Sequence, residues 1–440
     1  MATQIAGAGG TTTSFSNTPQ AKDDLLAYLE DATGVLILNV LANDLGGAAK
    51  QLYSIDNADS LSTATKTYAP ADLLTRDTTY STDSSGASGT TDTSLLGAKI
   101  WIASDGTIHY DTTNIDGQLQ ALSAGQVLVD KVTYAIQLGN GTLSWATATV
   151  QFTGTNDKPD IHLVTTDSAA ASLTETNAAL TKSGTLTVND ADVSDTATAS
   201  VASVSLAGTT GGLNSGAVLG MLTVSPASLT ANPGETNNLG WTFNSAPQAF
   251  DFLAVGETLT LTYTIKVDDG HLGGTDTQTL TITLTGTNDT PTAVADTNSG
   301  LEDSTINGTV ATNDGDVDDG AVLTYAQVGS VAGLIINADG SYSFDAANAA
   351  YQHLAQGATL PVVANYSVTD QHGASASSTL TITLTGTNDT PTAVADTNSG
   401  LEDSTINGTV ASNDGDVDDG AVLTYAQVGS VAGLIINADG

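Results

Sequence analysis

The chain has 440 residues, nine of them Lys or Arg and 48 of them Asp or Glu, which gives a formal net charge of −39 at pH 7. So acidic a surface repels nucleic acid and anionic membranes, because binding to either requires cationic side chains. The lack of cysteine excludes disulfide bonds and thiolate metal sites. Hydrophobic residues make up 40% of the chain, enough for packed cores, so an acidic disordered tail is excluded as well.

Residues 1–16 are rich in Gly, Ala and Thr, and this composition predicts a flexible N-terminal segment. The segment lacks the basic region and the apolar stretch of a cleaved signal peptide. No apolar run in the chain approaches the ~20 residues that a membrane helix needs, so we expect no membrane insertion.

A domain-sized repeat organises the rest of the chain. Residues 279–340 recur at 379–440 with one change, Thr312 against Ser412, which indicates duplication of a whole unit. The boundary phrase Thr-Gly-Thr-Asn-Asp-x-Pro occurs at 153–159, 285–291 and 385–391, with a weaker start at Asn17-Thr18-Pro19. These boundaries predict domains at 17–155, 156–287 and 288–387 and a truncated unit at 388–440. Units of about 100 residues are typical of beads on a string rather than of short-period solenoids.

The fourth unit stops at Gly440, before the expected position of its closing strands. An incomplete sandwich exposes a sheet edge and part of its core. We therefore expect 388–440 to be the least stable part of the chain, with weaker amide-exchange protection than 288–387.

Alternation of apolar and polar residues predicts β-strands throughout the chain. The clearest examples, in chain order, are Ala148 to Phe152, Leu259 to Val267 and Thr279 to Thr285. Gly-containing turns predict hairpins at 104–106 and 337–340, and short helical turns are expected at 118–123 and 351–356. The fold class is therefore all-β, with tandem Greek-key β-sandwich domains in a linear array.

An acidic loop, residues 313–320, offers five oxygen-bearing side chains in eight residues. Calcium is a hard cation that takes six to eight oxygen ligands, preferably carboxylates, carbonyls and Asn side chains. The loop is not an EF-hand, because Gly is absent from its sixth position and Tyr325 stands at its twelfth. The candidate calcium ligands in this loop and its counterparts are Asp190, Asp192, Asp195, Asn313, Asp314, Asp316, Asp318, Asp319, Asp414, Asp416, Asp418 and Asp419.

A second set of candidate calcium ligands lies at the domain junctions. Asn288 and Asp289 stand between two domains, Glu302 follows in the next domain, and Asp370 ends a strand that should reach the same pole. Calcium bound by both sides of a junction would remove its hinge freedom. The first domain has Leu138-Gly139-Asn140 where Asp370 would lie. The full junction set is Asn156, Asp157, Glu175, Asp268, Asp269, Asn288, Asp289, Glu302, Asp303, Asp370, Asn388, Asp389, Glu402 and Asp403.

Two alternatives to metal binding remain open at this stage. Asp, Asn and Gly are ordinary turn and linker residues, so these loops are also consistent with an acidic, solvated surface without discrete sites. The five histidines are scattered without metal-ligand spacing, and the sequence has neither a nucleophile elbow nor a phosphate loop, so we expect no enzyme.

These motifs together resemble the bacterial VCBS family, whose repeats are cadherin-like or immunoglobulin-like sandwiches. The shared features are the boundary phrase, a Glu shortly after it, an Asn-Asp-x-Asp loop, an Ala-Asp-Gly hairpin, Leu-x-x-Gly and a late Val-x-Asp strand end. The resemblance covers 156–440. The first domain follows the pattern loosely, with an insertion around 76–96, and its Asp23-Asp24, Glu30-Asp31 and 39–44 segments are similar to the related cadherin-like tandem repeats.

The resemblance implies a very large RTX-type adhesin exported by type I secretion, with its signal and Gly-Gly-x-Gly-x-Asp repeats downstream. It implies Ca²⁺ as cofactor and a secreted protein that is extracellular or on the bacterial outer cell surface. The partners it implies are other cell-surface or matrix components or further copies of the chain. The function expected is a calcium-rigidified spacer for cell adhesion in biofilms. Alternatives are a structural protein of an S-layer, sheath or fibre built by lateral contacts, and an accessory region of a secreted hydrolase.

Overall fold

The computed structural model describes residues 3–6, 12–15, 20–59, 71–83, 86–231 and 233–440. About 42% of the described residues are in strands and 5% in helices, and the predicted all-β fold of tandem sandwich domains is confirmed. In the part of the chain that the structure describes, no helix has the length and apolar character needed to cross a membrane. Within the predicted flexible segment 1–16, two short strands pair with each other, and the remaining residues lie outside the described ranges.

The first sandwich is built around Tyr110, Tyr134 and Phe152, which are fully buried. One sheet has the order β1-β2-β12-β11-β5, with β3 also paired to β12, and faces the sheet β4-β10-β9-β8; β6 and β7 form a small hairpin. The hairpin predicted at 104–106 joins β9 to β10 and has a positive φ at Gly106. The weaker domain start at 17–19 lies outside the described residues. The elements are β1 (Thr3–Ala6), β2 (Thr12–Phe15), β3 (Asp24–Leu29), β4 (Val35–Leu38), β5 (Gln51–Asp56), β6 (Ser81–Asp83), β7 (Gly86–Ser88), β8 (Asp92–Thr93), β9 (Lys99–Ile102), β10 (Ile108–Asp111), α1 (Asp116–Leu119), β11 (Val127–Gln137) and β12 (Leu143–Thr153), with 3-10 turns at Gly47–Ala49 and Ala71–Leu74.

The second sandwich packs the sheet β13-β15-β19-β17 against β14-β21-β20-β16-β18. Trp241 is 1% exposed in its core, and its indole Nε1 donates to the carbonyl of Ser168 at 2.7 Å. The predicted alternating runs form β20 and β21, which pair over eleven residues each. The elements are β13 (Asp160–His162), β14 (Ala170–Thr174), β15 (Thr181–Asn189), β16 (Thr196–Gly208), α2 (Ser215–Val218), β17 (Leu222–Ser225), β18 (Ser228–Thr230), β19 (Leu239–Asn244), β20 (Thr258–Asp268) and β21 (Thr275–Thr285), with a 3-10 turn at Leu219–Met221.

The third sandwich pairs the sheet β22-β28-β27-β24 with β23-β26-β25 around Phe344, Tyr366 and Ile382. Its hairpin at 337–340 joins β25 to β26 as expected, with a positive φ at Gly340. The elements are β22 (Asp296–Leu301), β23 (Thr305–Thr309), β24 (Thr324–Val328), β25 (Leu334–Ile336), β26 (Ser341–Asp345), β27 (Thr359–Thr369) and β28 (Ser375–Thr385).

Residues 388–440 contain no strand, although they repeat the sequence of the third domain. One backbone bridge, between Thr392 and Gly415, holds their acidic loop against the preceding linker. Apolar side chains are exposed here, Val428 at 99% and Ile435 at 83%. The segment therefore keeps the local geometry of its acidic loop without a packed core.

One pairing recurs at the C-terminal pole of every complete sandwich. An early strand of each domain runs parallel to the last strand: β3 with β12, β14 with β21 and β22 with β28. The final pairs in register are Leu29 with Thr153, Thr174 with Thr285, and Leu301 with Thr385. The residue after this early strand thereby meets the start of the linker to the next domain. That residue is Glu30, Glu175 or Glu302.

Candidate metal centres at the domain junctions

Three junctions repeat one arrangement of acidic side chains. Each combines a Glu from the C-terminal pole of one domain, an Asp from the linker, and two Asp from the first acidic loop of the following domain. In that order the members are Glu30, Asp157, Asp190 and Asp192 in the first junction, Glu175, Asp289, Asp316 and Asp318 in the second, and Glu302, Asp389, Asp416 and Asp418 in the third.

The pole glutamate is fixed to the linker by hydrogen bonds. At the first junction the backbone N–H and hydroxyl of Thr155 both donate to Glu30 Oε1, at 2.5 and 2.6 Å. At the second junction Thr287 donates to Glu175 Oε2 in the same two ways, at 3.1 and 2.8 Å, and at the third Thr387 N–H donates to Glu302 Oε1 at 2.5 Å. All three glutamates are at most 1% exposed. A buried carboxylate is thus held at the end of each domain.

The linker aspartate is tied to the loop of the next domain. The backbone N–H groups of Asp157, Asp289 and Asp389 donate to the side chains of Asp192, Asp318 and Asp418, at 2.9, 3.0 and 3.1 Å respectively. The other loop aspartate in turn accepts from the backbone of that residue, as Asp316 Oδ1 does from Asp318 N–H at 3.0 Å. These bonds fix the loop carboxylates beside the linker.

The linker asparagine is oriented by the turn before the last strand. Asn156 Nδ2 donates to Asp269 Oδ2 at 3.1 Å, and Asn288 Nδ2 donates to Asp370 Oδ2 at 2.7 Å. Because the amide nitrogen is used in this way, the side-chain oxygen of each Asn is left buried without a hydrogen-bond partner. A buried oxygen of this kind is a metal ligand or an energetic cost.

Buried oxygens without a hydrogen-bond donor converge on all three junctions. Such atoms are rare in folded proteins, because each loses its hydration without compensation. At the second and third junctions, residues 288–440 contain no Lys or Arg that could neutralise these oxygens. The buried junction oxygens without a hydrogen-bond partner belong to Glu30, Asn156, Asp157, Asp190, Asp192, Asn288, Asp289, Glu302, Asp316, Asp318, Asp389 and Asp418.

The electrostatics of the first junction reflect this crowding. Burial, together with the neighbouring carboxylates of Asp157 and Asp195, raises the pKa of Asp192 to about 7. Burial likewise raises the pKa of Asp190 to about 6, with Asp269 and Asp195 adding to the effect. In the second junction burial also raises the pKa values of Asp289 and Asp318, and nearby carboxylates again contribute. The ionised forms are therefore unfavourable without a cation.

The donor set fits calcium. Glu302, Asp389 and Asp418 each offer one carboxylate oxygen, and the three atoms lie within 4.8 Å of one another. All candidate ligands are hard oxygens, and both sides of the junction contribute them. Calcium takes six to eight such oxygen ligands. In the described part of the chain His271 is the only imidazole paired with a junction carboxylate, at 3.3 Å from Asp195 and 3.6 Å from Asp269.

The structure groups the predicted residues differently from the sequence-based expectation. Glu302 does not share a junction with Asp289; it lies at the opposite pole of its domain, beside Asp389. The loop aspartates were expected to form a separate set, but Asp316 and Asp318 join the junction. Asp190 corresponds by its hydrogen bonds to Asp316 and not to Asp314, because the two loops differ in length.

Other predicted ligands lie outside the junction centres. Asp314 accepts from Val294 N–H at 2.6 Å and from the Tyr366 hydroxyl at 3.3 Å, inside the third domain. Asp268 pairs with Lys266 at 2.6 Å. Several further candidates lie at the surface or at the edge of a junction; these are Asn313, Asp319, Asn388, Glu402, Asp403, Asp414 and Asp419.

Sequence reasoning missed Glu30 as a site residue. The signal was present, because Leu29-Glu30-Asp31 repeats the Leu301-Glu302-Asp303 of the third domain. It also missed a group of Asp56, Asp59 and Asp72 on the side of the first domain, whose carboxylate oxygens lie within 4.8 Å of one another.

The fold and the junctions place the chain among proteins built of tandem β-sandwich domains with acidic junctions. Comparison with known proteins adds a family match for one of these domains. Residues 288–386 match the family of bacterial cadherin-like domains. No curated protein matches the chain.

Cadherin ectodomains are among the similar solved structures. The protocadherin gammaB7 EC3-6 cis-dimer structure is 12% identical with a TM-score of 0.38 and covers 86% of this chain and 76% of its own. Human CDH23 EC21-23 is 11% identical with a TM-score of 0.37, covering 81% and 97%. Mouse Cadherin-23 EC22-24 is 12% identical with a TM-score of 0.36, covering 84% and 96%. At such identities function has to be argued from the residues of this chain.

Proposed function

We propose that this chain is a calcium-stiffened extracellular spacer, a region of a large bacterial adhesin or biofilm-matrix protein. One observation carries the proposal: at each junction, carboxylates from both adjoining domains are buried together with oxygens that lack a donor. At neutral pH a divalent cation placed between them satisfies these oxygens and removes their mutual repulsion.

The mechanism follows from where the ligands are anchored. Calcium supplies a divalent charge that several carboxylates can share. The pole glutamate belongs to one domain and the loop aspartates to the next, so an ion bound by both crosslinks the domains. The linker threonine, which donates to the glutamate, keeps this ligand oriented before the ion arrives. Without the ion the like charges repel and the linker acts as a hinge.

The wider context is also part of the proposal. An acidic, cysteine-free chain with near-identical tandem domains is suited to spanning distance outside the cell, where calcium is available at millimolar concentration. The VCBS and RTX-type features of the sequence point to type I secretion and to cell-surface or matrix partners. Metal binding and adhesion, rather than catalysis, account for the buried acidic groups.

Lateral assembly is a second candidate, favoured by an apolar edge on the first domain. Leu25 and Leu29 on β3 are 68% and 56% exposed, and Val35 and Ile37 on the adjoining β4 are 50% and 53% exposed. Both strands lie at the edge of their sheets, where further chains can pair. Light scattering on the intact chain tests this: concentration-dependent growth in calcium would favour it, and a strict monomer would exclude it.

The spacer proposal is tested by unfolding the intact chain in calcium, in magnesium and in a chelator. Calcium should raise the melting temperature, and magnesium should do so much less, because it prefers a rigid octahedral shell. If the melting temperature were the same in calcium and in chelator, the spacer proposal would be wrong.

A further inference from the structure

The three junctions differ at the residue that follows the pole glutamate. In the first and third, the pole glutamate is followed directly by a second carboxylate, Asp31 or Asp303. In the second, Thr176 follows Glu175, and Asn177 comes next. The second junction therefore lacks the second carboxylate that follows the pole glutamate in the other two.

Asn177 fills the space that the second carboxylate takes elsewhere. Its side-chain amide donates to Asp289 Oδ1. In the first junction the corresponding linker residue, Asp157, instead faces the carboxylate of Asp31, which together with burial raises its pKa. Among the described residues, Asp289 is the only one of the three linker aspartates whose side chain receives a hydrogen bond from another side chain.

Glu175 is also more fully satisfied than its counterparts. Its Oε1 accepts from Asn177 N–H at 2.6 Å and its Oε2 accepts from Thr287 at 2.8 and 3.1 Å. Glu30 and Glu302, by contrast, each keep a buried Oε2 without a partner. The segment from Glu175 to Asn177 thus stabilises the calcium-free form of the second junction.

We propose that Asn177 is an internal competitor for calcium, which makes the second junction a weaker metal site than the first and the earlier of the two to loosen as calcium falls. The inference rests on the proposed calcium function and refines it. Asp251 adds a negative charge near Asp289, so the second junction retains enough carboxylates to bind calcium once the amide is displaced. At intermediate calcium the chain is stiff at the first junction and hinged at the second.

Hydrogen–deuterium exchange of the intact chain across a calcium titration tests this directly. Linker peptides covering 153–159 and 285–291 report the two junctions. The linker 285–291 should become protected at about tenfold higher free calcium than 153–159, since one charged ligand fewer and one competing bond separate the sites. Equal midpoints would overturn the inference while leaving the calcium function intact. If neither linker became protected at any calcium concentration, both this inference and the proposed calcium function would be wrong.

Two variants identify Asn177 as the cause. N177D replaces the competing donor by a carboxylate and should lower the calcium midpoint of 285–291 by about tenfold, towards that of 153–159. N177A removes the donor without adding a ligand and should lower the midpoint by a smaller factor. A higher midpoint in N177A would overturn the inference, because it would show that the Asn177 side chain binds the ion. D31N is the reciprocal control and should weaken only the first junction.

Discussion

Glu302 follows β22 and Asp389 lies in the linker after β28, far apart in sequence, yet their carboxylate oxygens lie within 4.8 Å of each other and of Asp418. The parallel pairing of β22 with β28 creates this proximity, because it ends at Leu301 and Thr385. A like-charged pair held this close costs free energy unless a cation lies between.

The hydroxyl of Thr155, which donates to Glu30 Oε1 at 2.6 Å, should matter for calcium affinity. Replacing Thr155 by Val keeps the shape but removes the donor, so the first junction should bind calcium about 10- to 100-fold more weakly. Isothermal titration of the intact chain measures this. The matched control is Thr149→Val on the outer face of β12, the strand that precedes the linker, and this variant should bind calcium as the parent does. Equal losses in both variants would show a general effect on this end of the first domain.

Glu30 should stabilise the calcium-bound form and destabilise the calcium-free form. Its pKa is raised by burial and by the carboxylates of Asp157 and Asp31, so its charge is unfavourable without the ion. Glu30→Gln should raise the melting temperature in chelator by a few degrees and shrink the calcium-induced rise. A lower melting temperature in chelator would mean that the carboxylate is a plain structural acceptor.

Calcium binding at the first junction should weaken as the pH falls through about 7 and then 6. The pKa values of Asp192 and Asp190 are raised to about 7 and about 6 from 3.8, so protons and calcium compete there. Calcium midpoints of linker 153–159 at pH 8 and pH 5.5 measure the effect.

In chelator the same two aspartates should give the opposite dependence of stability. A folded-state pKa above the unfolded value stabilises the protein at low pH, and this contribution disappears as the pH rises through the folded pKa. The calcium-free first junction should therefore be more stable at pH 5.5 than at pH 8. The variant D190N/D192N should flatten both profiles, and unchanged profiles would exclude these residues as the titrating groups.

Asp314 should be needed for folding rather than for calcium. Its Oδ1 accepts from Val294 N–H and from the Tyr366 hydroxyl, both within the third domain. Asp314→Ala leaves these donors unsatisfied and should cost about 1–3 kcal/mol with and without calcium. Denaturant unfolding measures the loss, and the exposed Asp319→Ala serves as control. A loss confined to calcium-containing buffer would place Asp314 among the ligands.

The fold was predictable because its signal is local. Alternating runs such as 259–267 and glycine turns such as 337–340 specify strands and hairpins within a few residues. The types of site residue were predictable for the same reason, since clustered Asp and Asn in a loop have few roles.

The grouping of the site residues was not predictable from local pattern. Glu302 reaches Asp389 only through a strand pairing between residues far apart in sequence. The Asn-Asp start of the loop at 189–195 suggests an alignment with the start of 313–319. The hydrogen bonds instead match Asp190 with Asp316, two residues further along the second loop. The bond from Asn177 to Asp289 had no sequence signal at all, because an Asn near a strand end is ordinary turn chemistry.

Small-angle X-ray scattering of the intact chain in millimolar calcium and in chelator tests the central claim most directly. With calcium the profile should fit one elongated rod, and in chelator it should fit a broad set of bent forms with a smaller average maximum dimension. Superimposable profiles under the two conditions would contradict calcium as the element that stiffens the junctions.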